Sequence, residues 1–286
     1  MNVLVTGAKG QLGKEIEKLS SGQLWTGERK FFFTDIDELD VTDIASIRSY
    51  ITQKTIDIII NCAAYTAVNK AETEKEKAKL LNEAVPAYLA LVARESNMPL
   101  IHISTDFVFD GEKKHPYVET DKPNPLSVYG RTKLEGEYEV IKHGGTFIII
   151  RTSWLYSEFG NNFVKTILRL AKEKKELGVV SDQIGAPTYA EDLASVILGI
   201  IPNIQNGTRE IFHYSNEGVI SWYDFAKAIV DIKNINCKII PIETKDYLTS
   251  AVRPLYSVLD KTKIKETFDV QIPEWRDSLK RCLNRL

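Results

Sequence analysis

A chain of 286 residues with 43% hydrophobic content can bury one large core, or one core and a smaller lobe. Its net charge of −2 comes from interspersed acids and bases, so no electrostatic footprint for nucleic acid or an anionic membrane is expected. No apolar run approaches the ~20 residues of a membrane span, and Met1 runs into Val3-Leu4-Val5 without a basic segment, so a cytoplasmic protein is expected. Cys62, Cys237 and Cys282 lie far apart, as do His102, His115, His143 and His213, which predicts packing residues and no metal.

In chain order, Val3-Leu4-Val5-Thr6 predicts a short strand, Gly7-Ala8-Lys9-Gly10-Gln11-Leu12-Gly13 a tight turn, and the residues to Leu19 an amphipathic helix. Glycines at such a junction permit close backbone approach, and the helix N-terminus offers free N–H groups to a pyrophosphate. Phe31-Phe32-Phe33-Thr34 predicts a second strand ending at Asp35, about 20 residues past the glycines, where a carboxylate accepts hydrogen bonds from an adenosine ribose. An acid there repels a 2′-phosphate and no Arg follows it, so Asp35 favours NADH over NADPH, although an ordinary strand-end acid would look the same.

Asp40-Val41-Thr42-Asp43 predicts the cap of a helix reaching Gln53. Residues 56–61 read as a buried strand running into Cys62-Ala63-Ala64-Tyr65-Thr66, small enough for a flat ligand to pack closely. Over 72–97, Ala78, Leu81, Val85, Leu89 and Val92 recur at helical spacing, with Pro86 bending or dividing the helix. Residues 100–104 predict a strand ending in Thr105-Asp106-Phe107.

A turn-rich stretch then leads into a helix over 127–141 that carries Tyr129 and Lys133. Four residues apart on one helix, the phenol and the ammonium share a face, offset by roughly 6 Å. A neighbouring cation favours phenolate and lowers the phenol pKa from about 10, which suits a general acid. The same spacing occurs by accident on exposed helices. After a strand over 146–151, the βαβαβαβαβ pattern predicts an α/β protein with a Rossmann-type doubly wound parallel sheet.

Beyond Arg151 the rhythm changes. The expected division is a dinucleotide-binding domain of residues 1–152 with 190–216, and a smaller C-terminal α/β substrate lobe of 153–189 with 217–286. Trp154 fits a pocket wall and a core position equally. Helices are expected over 162–174, 221–232 and 274–283, another capped near Ala190-Glu191-Asp192, a strand over 211–214 returning to the first sheet, and a short strand over 238–240.

Eight blocks occur in order: Gly7-x-x-Gly10-Gln11-Leu12-Gly13, residues 39–43, residues 61–68, Ser104-Thr105-Asp106-Phe107 with its sequel to Gly111, Tyr129-Gly130-Arg131-Thr132-Lys133, Arg151-Thr152-Ser153-Trp154, Asp182-Gln183-x-Gly185-x-Pro187-Thr188, and Arg253-Pro254. With them the chain resembles the extended short-chain dehydrogenase/reductases and, within these, the dTDP-4-dehydrorhamnose reductase family, over nearly its whole length. The resemblance implies NAD(P)H-dependent reduction of the C4 ketone of dTDP-4-dehydro-6-deoxy-L-mannose to dTDP-L-rhamnose. It places acid/base chemistry on Thr105, Tyr129 and Lys133, and the cofactor on Gly7, Gly10, Gln11, Leu12, Gly13, Asp35, Asp40, Val41, Ala63, Ala64 and Tyr65 as well as on Tyr129 and Lys133. It places the dTDP-sugar near Val68, Asn69, Thr105, Asp106, Phe107 and Trp154.

Three positions qualify this. Related dehydratases have a glutamate after the Thr-Asp pair, and Phe107 cannot act as a base. The family usually has an aspartate where this chain has Asn69. Some members bind Mg²⁺ at a dimer contact through glutamates matching Glu15 and Glu191, but the third position is Arg285, so Mg²⁺ is not expected and the two glutamates are expected to be solvated helix residues. A homodimer is compatible with the sequence. Two further functions stay open: a non-catalytic dinucleotide-binding regulatory subunit, and a reductase of another nucleotide-activated 4-keto sugar.

Overall fold

The computed structural model describes residues 1–22 and 29–286. The first half of the chain alternates strand and helix: β1 (Asn2–Thr6), α1 (Gln11–Ser20), β2 (Lys30–Thr34), α2 (Ile44–Lys54), β3 (Ile58–Asn61), α3 (Val68–Ala71), α4 (Lys75–Lys79), α5 (Val85–Glu95), β4 (Leu100–Thr105), α6 (Val128–His143) and β5 (Phe147–Thr152). The second half carries β6 (Leu155–Tyr156), α7 (Phe163–Glu173), β7 (Glu176–Val180), β8 (Ile184–Gly185), β9 (Thr188–Tyr189), α8 (Ala190–Ile200), β10 (Arg209–Tyr214), β11 (Ile220–Ser221), α9 (Trp222–Ile232), β12 (Lys238–Ile242), α10 (Thr262–Phe268) and α11 (Trp275–Leu283).

The main sheet is wholly parallel, in the order β10-β5-β4-β3-β1-β2. Apolar residues on both sides of each pleat demand cover on both faces, as parallel strands do. Leu12 and Ile16 of α1 with Leu193 and Ile197 of α8 cover one face. Ile47 and Ile51 of α2, Val85 and Leu89 of α5, and Val140 of α6 cover the other. Strand order reverses at β1, so the crevice for a ligand opens at the carboxyl ends of β1 and β3. The strand expected over 211–214 does return to this sheet, as β10 beside β5. A separate core gathers Val164 and Ile167 of α7, Phe225 and Ile229 of α9, and Leu279 and Cys282 of α11 around the parallel pair β7 and β12.

The helical region expected over 72–97, bent or divided at Pro86, is interrupted just before that residue. Between α4 and α5 the residues Leu80–Ala84 form a π-helical turn, with Pro86 in the first turn of α5. Pro86 has no amide to give the Asn82 carbonyl, so the regular ladder cannot run through this point. That carbonyl faces Gly136 of α6, where any Cβ would collide with it. The Asn82 side chain accepts from the Tyr65 amide at 2.8 Å and donates to the Tyr65 carbonyl at 3.1 Å, which fixes the loop after β3.

Candidate active site

Thr6, Asn61 and His102 close the floor of the crevice. Thr6 Oγ1 donates to Asn61 Oδ1 at 2.7 Å, Asn61 Nδ2 meets His102 Nδ1 at 2.9 Å, and the Ala63 amide donates to Asn61 Oδ1 at 3.1 Å. These bonds hold the Ala63 backbone against Gly7, whose φ of +66° and lack of a side chain permit the approach; a Cβ there would lie 2.6 Å from the Ala63 nitrogen. Gly10 caps α1 without a side-chain acceptor, leaving the first-turn amides directed at the crevice. This cradle fits the pyrophosphate of a dinucleotide. At its far end Asp35 accepts from the Lys9 and Ile36 amides at 3.2 and 2.9 Å, and the Lys9 ammonium pairs with Asp37.

A cavity of about 1080 Å³ runs from this cradle along the sheet edge to Thr105, Tyr129 and Lys133, and on to Trp154, Trp222 and Arg253. Of the expected contact residues, Gly7, Gly10, Gln11, Leu12, Gly13, Asp35, Val41, Ala63, Ala64, Val68, Asp106 and Phe107 also line it.

Local sequence aims the helix that carries Tyr129 and Lys133. Ser127 caps α6 by accepting from the Gly130 amide at 3.1 Å, and Glu72 accepts from the Val128 amide at 2.8 Å. Gly130 lets the helix rest on the Phe107 carbonyl oxygen, with which any Cβ would collide. Tyr129 thereby meets Phe107 edge to face, ring centres 5.5 Å apart. Thr105 Oγ1 accepts from the Phe107 amide at 3.2 Å and donates to Asp106 at 3.1 Å.

The electrostatics differ from the expectation drawn from spacing. Burial pushes the Tyr129 phenol up to about 12, with Thr105 pulling it down and Asp106 raising it further. Lys133 does not lower it, because its Nζ turns inward and donates to the Ile103 carbonyl at 2.6 Å. Burial in turn lowers Lys133 to about 8, against the pull of Glu137. The phenol is therefore neutral across the physiological range and carries its proton, as a donor must.

The outer wall is aromatic. Trp154, at φ +47°, stacks on Trp222 with ring centres 3.6 Å apart, and Gly185 leaves room for the indole. Trp154 is thus a pocket wall. On two residues that line the same cavity, Asp106 Oδ2 and Arg253 Nε are buried without a hydrogen-bond partner among the described residues. Trp222 carries no local motif, and Arg253 stood in a recognisable block with no role attached; only folding brings them to the cavity.

The RmlD substrate binding domain model matches residues 1–286. A dTDP-4-dehydrorhamnose reductase of Aggregatibacter actinomycetemcomitans is 44% identical over 97% of each chain. The chain belongs to the dTDP-4-dehydrorhamnose reductase family. Among solved structures of that family, one from Clostridium acetobutylicum is 42% identical with a TM-score of 0.93, covering 100% of this chain and 99% of that one. Another, from Bacillus anthracis in complex with NADP, is 37% identical with a TM-score of 0.93 at the same coverage.

Three family-matched positions stand away from the cavity wall. Asp40 accepts from the Thr42 amide and hydroxyl at 2.9 and 2.6 Å. Tyr65 is buried beside Asn82. Asn69 is exposed, and its carbonyl accepts from Ser250 Oγ at 2.9 Å.

The expectation that Glu15 and Glu191 are solvated is corrected. Both are buried, because α1 packs on α8, and with Glu158 they bring carboxylate oxygens within 4.8 Å of one another. These residues do not fit Mg²⁺. Lys18 pairs with Glu158 and, at 3.0 Å, with Glu191, while the Arg285 guanidinium binds Glu191 and Glu158. Burial pushes the Glu15 carboxyl up beside Glu158. Burial works against ionisation of Glu158 too, but hydrogen bonds from Glu15 and Lys18 hold it low. The cluster is neutralised from within, and a divalent ion would have to displace two cations.

Proposed function

We propose that the protein reduces the C4 ketone of dTDP-4-dehydro-6-deoxy-L-mannose to dTDP-L-rhamnose using NADPH or NADH. The observation that carries this reading is the meeting of Thr105, Tyr129 and Lys133 at the end of the dinucleotide cradle, with apolar Phe107 beside the phenol. When bound, the dihydronicotinamide supplies a hydride to C4. Tyr129 gives its proton to the ketone oxygen, and Thr105 hydrogen-bonds the same oxygen. Lys133 would have to turn its ammonium from the Ile103 carbonyl toward the crevice to hold the cofactor ribose and bring positive charge to the reacting oxygen. Phe107 offers no base to abstract a proton beside the ketone, which favours reduction over dehydration.

Gly7, Gly10, Gln11, Leu12, Gly13, Val41, Ala63 and Ala64 hold the cofactor, and Val68, Asp106 and Trp154 the sugar. Residues 153–189 with 217–286 act as the substrate lobe. Asp35 suits the ribose of NADH, whereas Lys9 beside it and the NADP complex of the Bacillus anthracis relative support NADPH as well.

Purified protein mixed with the keto-sugar nucleotide and either cofactor should oxidise it, and other dTDP-4-keto sugars should react more slowly. No oxidation of NADH or NADPH with that substrate contradicts the assignment. Faster turnover of another 4-keto sugar reassigns the substrate.

A further inference from the structure

Beneath the catalytic pair lies a buried charge cluster that touches neither reacting atom. Glu137 follows Lys133 by one turn of α6 and is completely buried. Its Oε1 accepts from Ser104 Oγ at 2.5 Å and Arg151 Nε at 2.9 Å, and its Oε2 from Arg151 Nη2 at 2.6 Å. On the far side of Arg151, His213 meets the Tyr117 carbonyl through Nδ1 at 3.0 Å, so Nδ1 carries the proton and Nε2 faces Arg151 Nη1 at 3.4 Å. Glu119 accepts from the His213 amide at 3.0 Å, beyond the imidazole.

The groups facing Lys133 come from three elements. Cys62, after β3, is a thiol that burial pushes up to about 12. His102, on β4, is held neutral by burial and by Lys133 itself. Tyr129, on α6, is a neutral phenol, and Asp106 acts on that phenol. Glu137 thus supplies the negative charge among them. Arg151 pairs directly with this carboxylate, while Lys133, one turn earlier on the same helix and bonded to the Ile103 carbonyl, feels it through space; the two buried cations and Glu137 together carry net charge +1, and +2 without Glu137.

We propose that Glu137 is a positioning residue: its buried carboxylate keeps Lys133 cationic below the cofactor crevice, and its bonds to Ser104 and Arg151 lock α6 to the ends of β4 and β5. Ser104 immediately precedes Thr105, so one carboxylate ties together the strand end that presents the threonine and the helix that presents Tyr129 and Lys133. The role in turnover rests on the reading of Lys133 and Tyr129 as the working pair. The charge effect on Lys133 does not.

The test is a carbon-13 NMR titration of Lys133 in the full chain with labelled lysine, the signal being identified by its loss in Lys133→Met. Glu137→Gln should lower the Lys133 midpoint by about one pH unit or more, and the alkaline limb of the reductase pH profile should move down with it. Glu137→Asp keeps the charge on a shorter arm, so it should leave the midpoint near that of the unaltered chain while weakening the fold. Should Glu137→Gln fail to fold because it strands Arg151, the Glu137→Gln/Arg151→Met double variant is compared with Arg151→Met alone, so that the carboxylate is the one difference between them, and the Lys133 midpoint should again be lower in the chain without it. An unchanged midpoint in the Gln variant, or equal displacement in the Asp and Gln variants, overturns the proposal. A shifted midpoint in a protein that reduces no keto sugar would overturn the proposed reaction and leave the charge assignment standing.

Discussion

At the residue scale, Tyr129 and Lys133 are defined by burial as much as by each other. Tyr129→Phe removes the proton donor without emptying its place in the wall. Turnover should fall by about 10²–10⁴-fold with cofactor affinity nearly unchanged, as measured by steady-state kinetics and cofactor titration. A regulatory subunit would tolerate the change. Lys133 is lowered by burial from 10.5 to about 8. Between those values the folded protein binds fewer protons than the unfolded chain, so stability rises with pH there, and below about 8 the buried cation carries its full penalty. Lys133→Met should therefore raise the unfolding free energy obtained by urea titration at neutral pH, by about 1–3 kcal/mol after loss of the Ile103 hydrogen bond, and abolish turnover. The gain should disappear above pH 10.5. Greater destabilisation at neutral pH than at high pH would refute this sign.

At the element scale, α6 is placed by what its neighbours omit. Gly130 clears the Phe107 carbonyl and Gly136 clears the Asn82 carbonyl in the π-helical turn. Gly130→Ala must push the helix off the strand end, costing about 1–3 kcal/mol and moving the phenol from Thr105. An unfolding free energy lowered by that amount in denaturant titration, together with a fall in kcat, is expected, and an Ala variant of full activity would contradict the packing.

The glycine turn, Asp35, the Thr105 strand end and the Tyr129–Lys133 spacing were legible in the sequence because each is local and has fixed geometry. Trp222, Arg253 and the Glu137–Arg151 pair were not, since tertiary folding alone makes them neighbours. Spacing also misled in one respect. It set Lys133 on the face of Tyr129 but could not reveal that its ammonium turns to the Ile103 carbonyl. The interruption at 80–84 needed the partner helix to be seen, although Pro86 marked the place.

At the scale of the whole molecule, the two cores are joined by polar contacts as well as by the chain. Glu15 and Lys18 from α1, Glu158 after β6, Glu191 from α8 and C-terminal Arg285 form one network. Glu15 was misread as solvated because its helix looks polar at that position. Its pKa is raised from 4.5 by burial, so the folded state holds its proton longer than the unfolded chain does, and stability falls as pH rises from 4.5 through that raised value. Glu15→Gln should raise the melting temperature at about pH 8 and change it little near pH 4. Millimolar Mg²⁺ should leave the melting temperature of the unaltered protein where it is, since Lys18 and Arg285 already neutralise the cluster; a rise with Mg²⁺ would show that the ion displaces them.

The central claim is that this sheet edge delivers hydride to C4 of the sugar while Tyr129 protonates the oxygen. Reduction of dTDP-4-dehydro-6-deoxy-L-mannose with NADPH deuterated at the transferable position tests it most directly. The account predicts dTDP-L-rhamnose carrying deuterium at C4 from the unaltered protein and almost none from Tyr129→Phe. A product without deuterium at C4, or equal yield from the Phe variant, would contradict it.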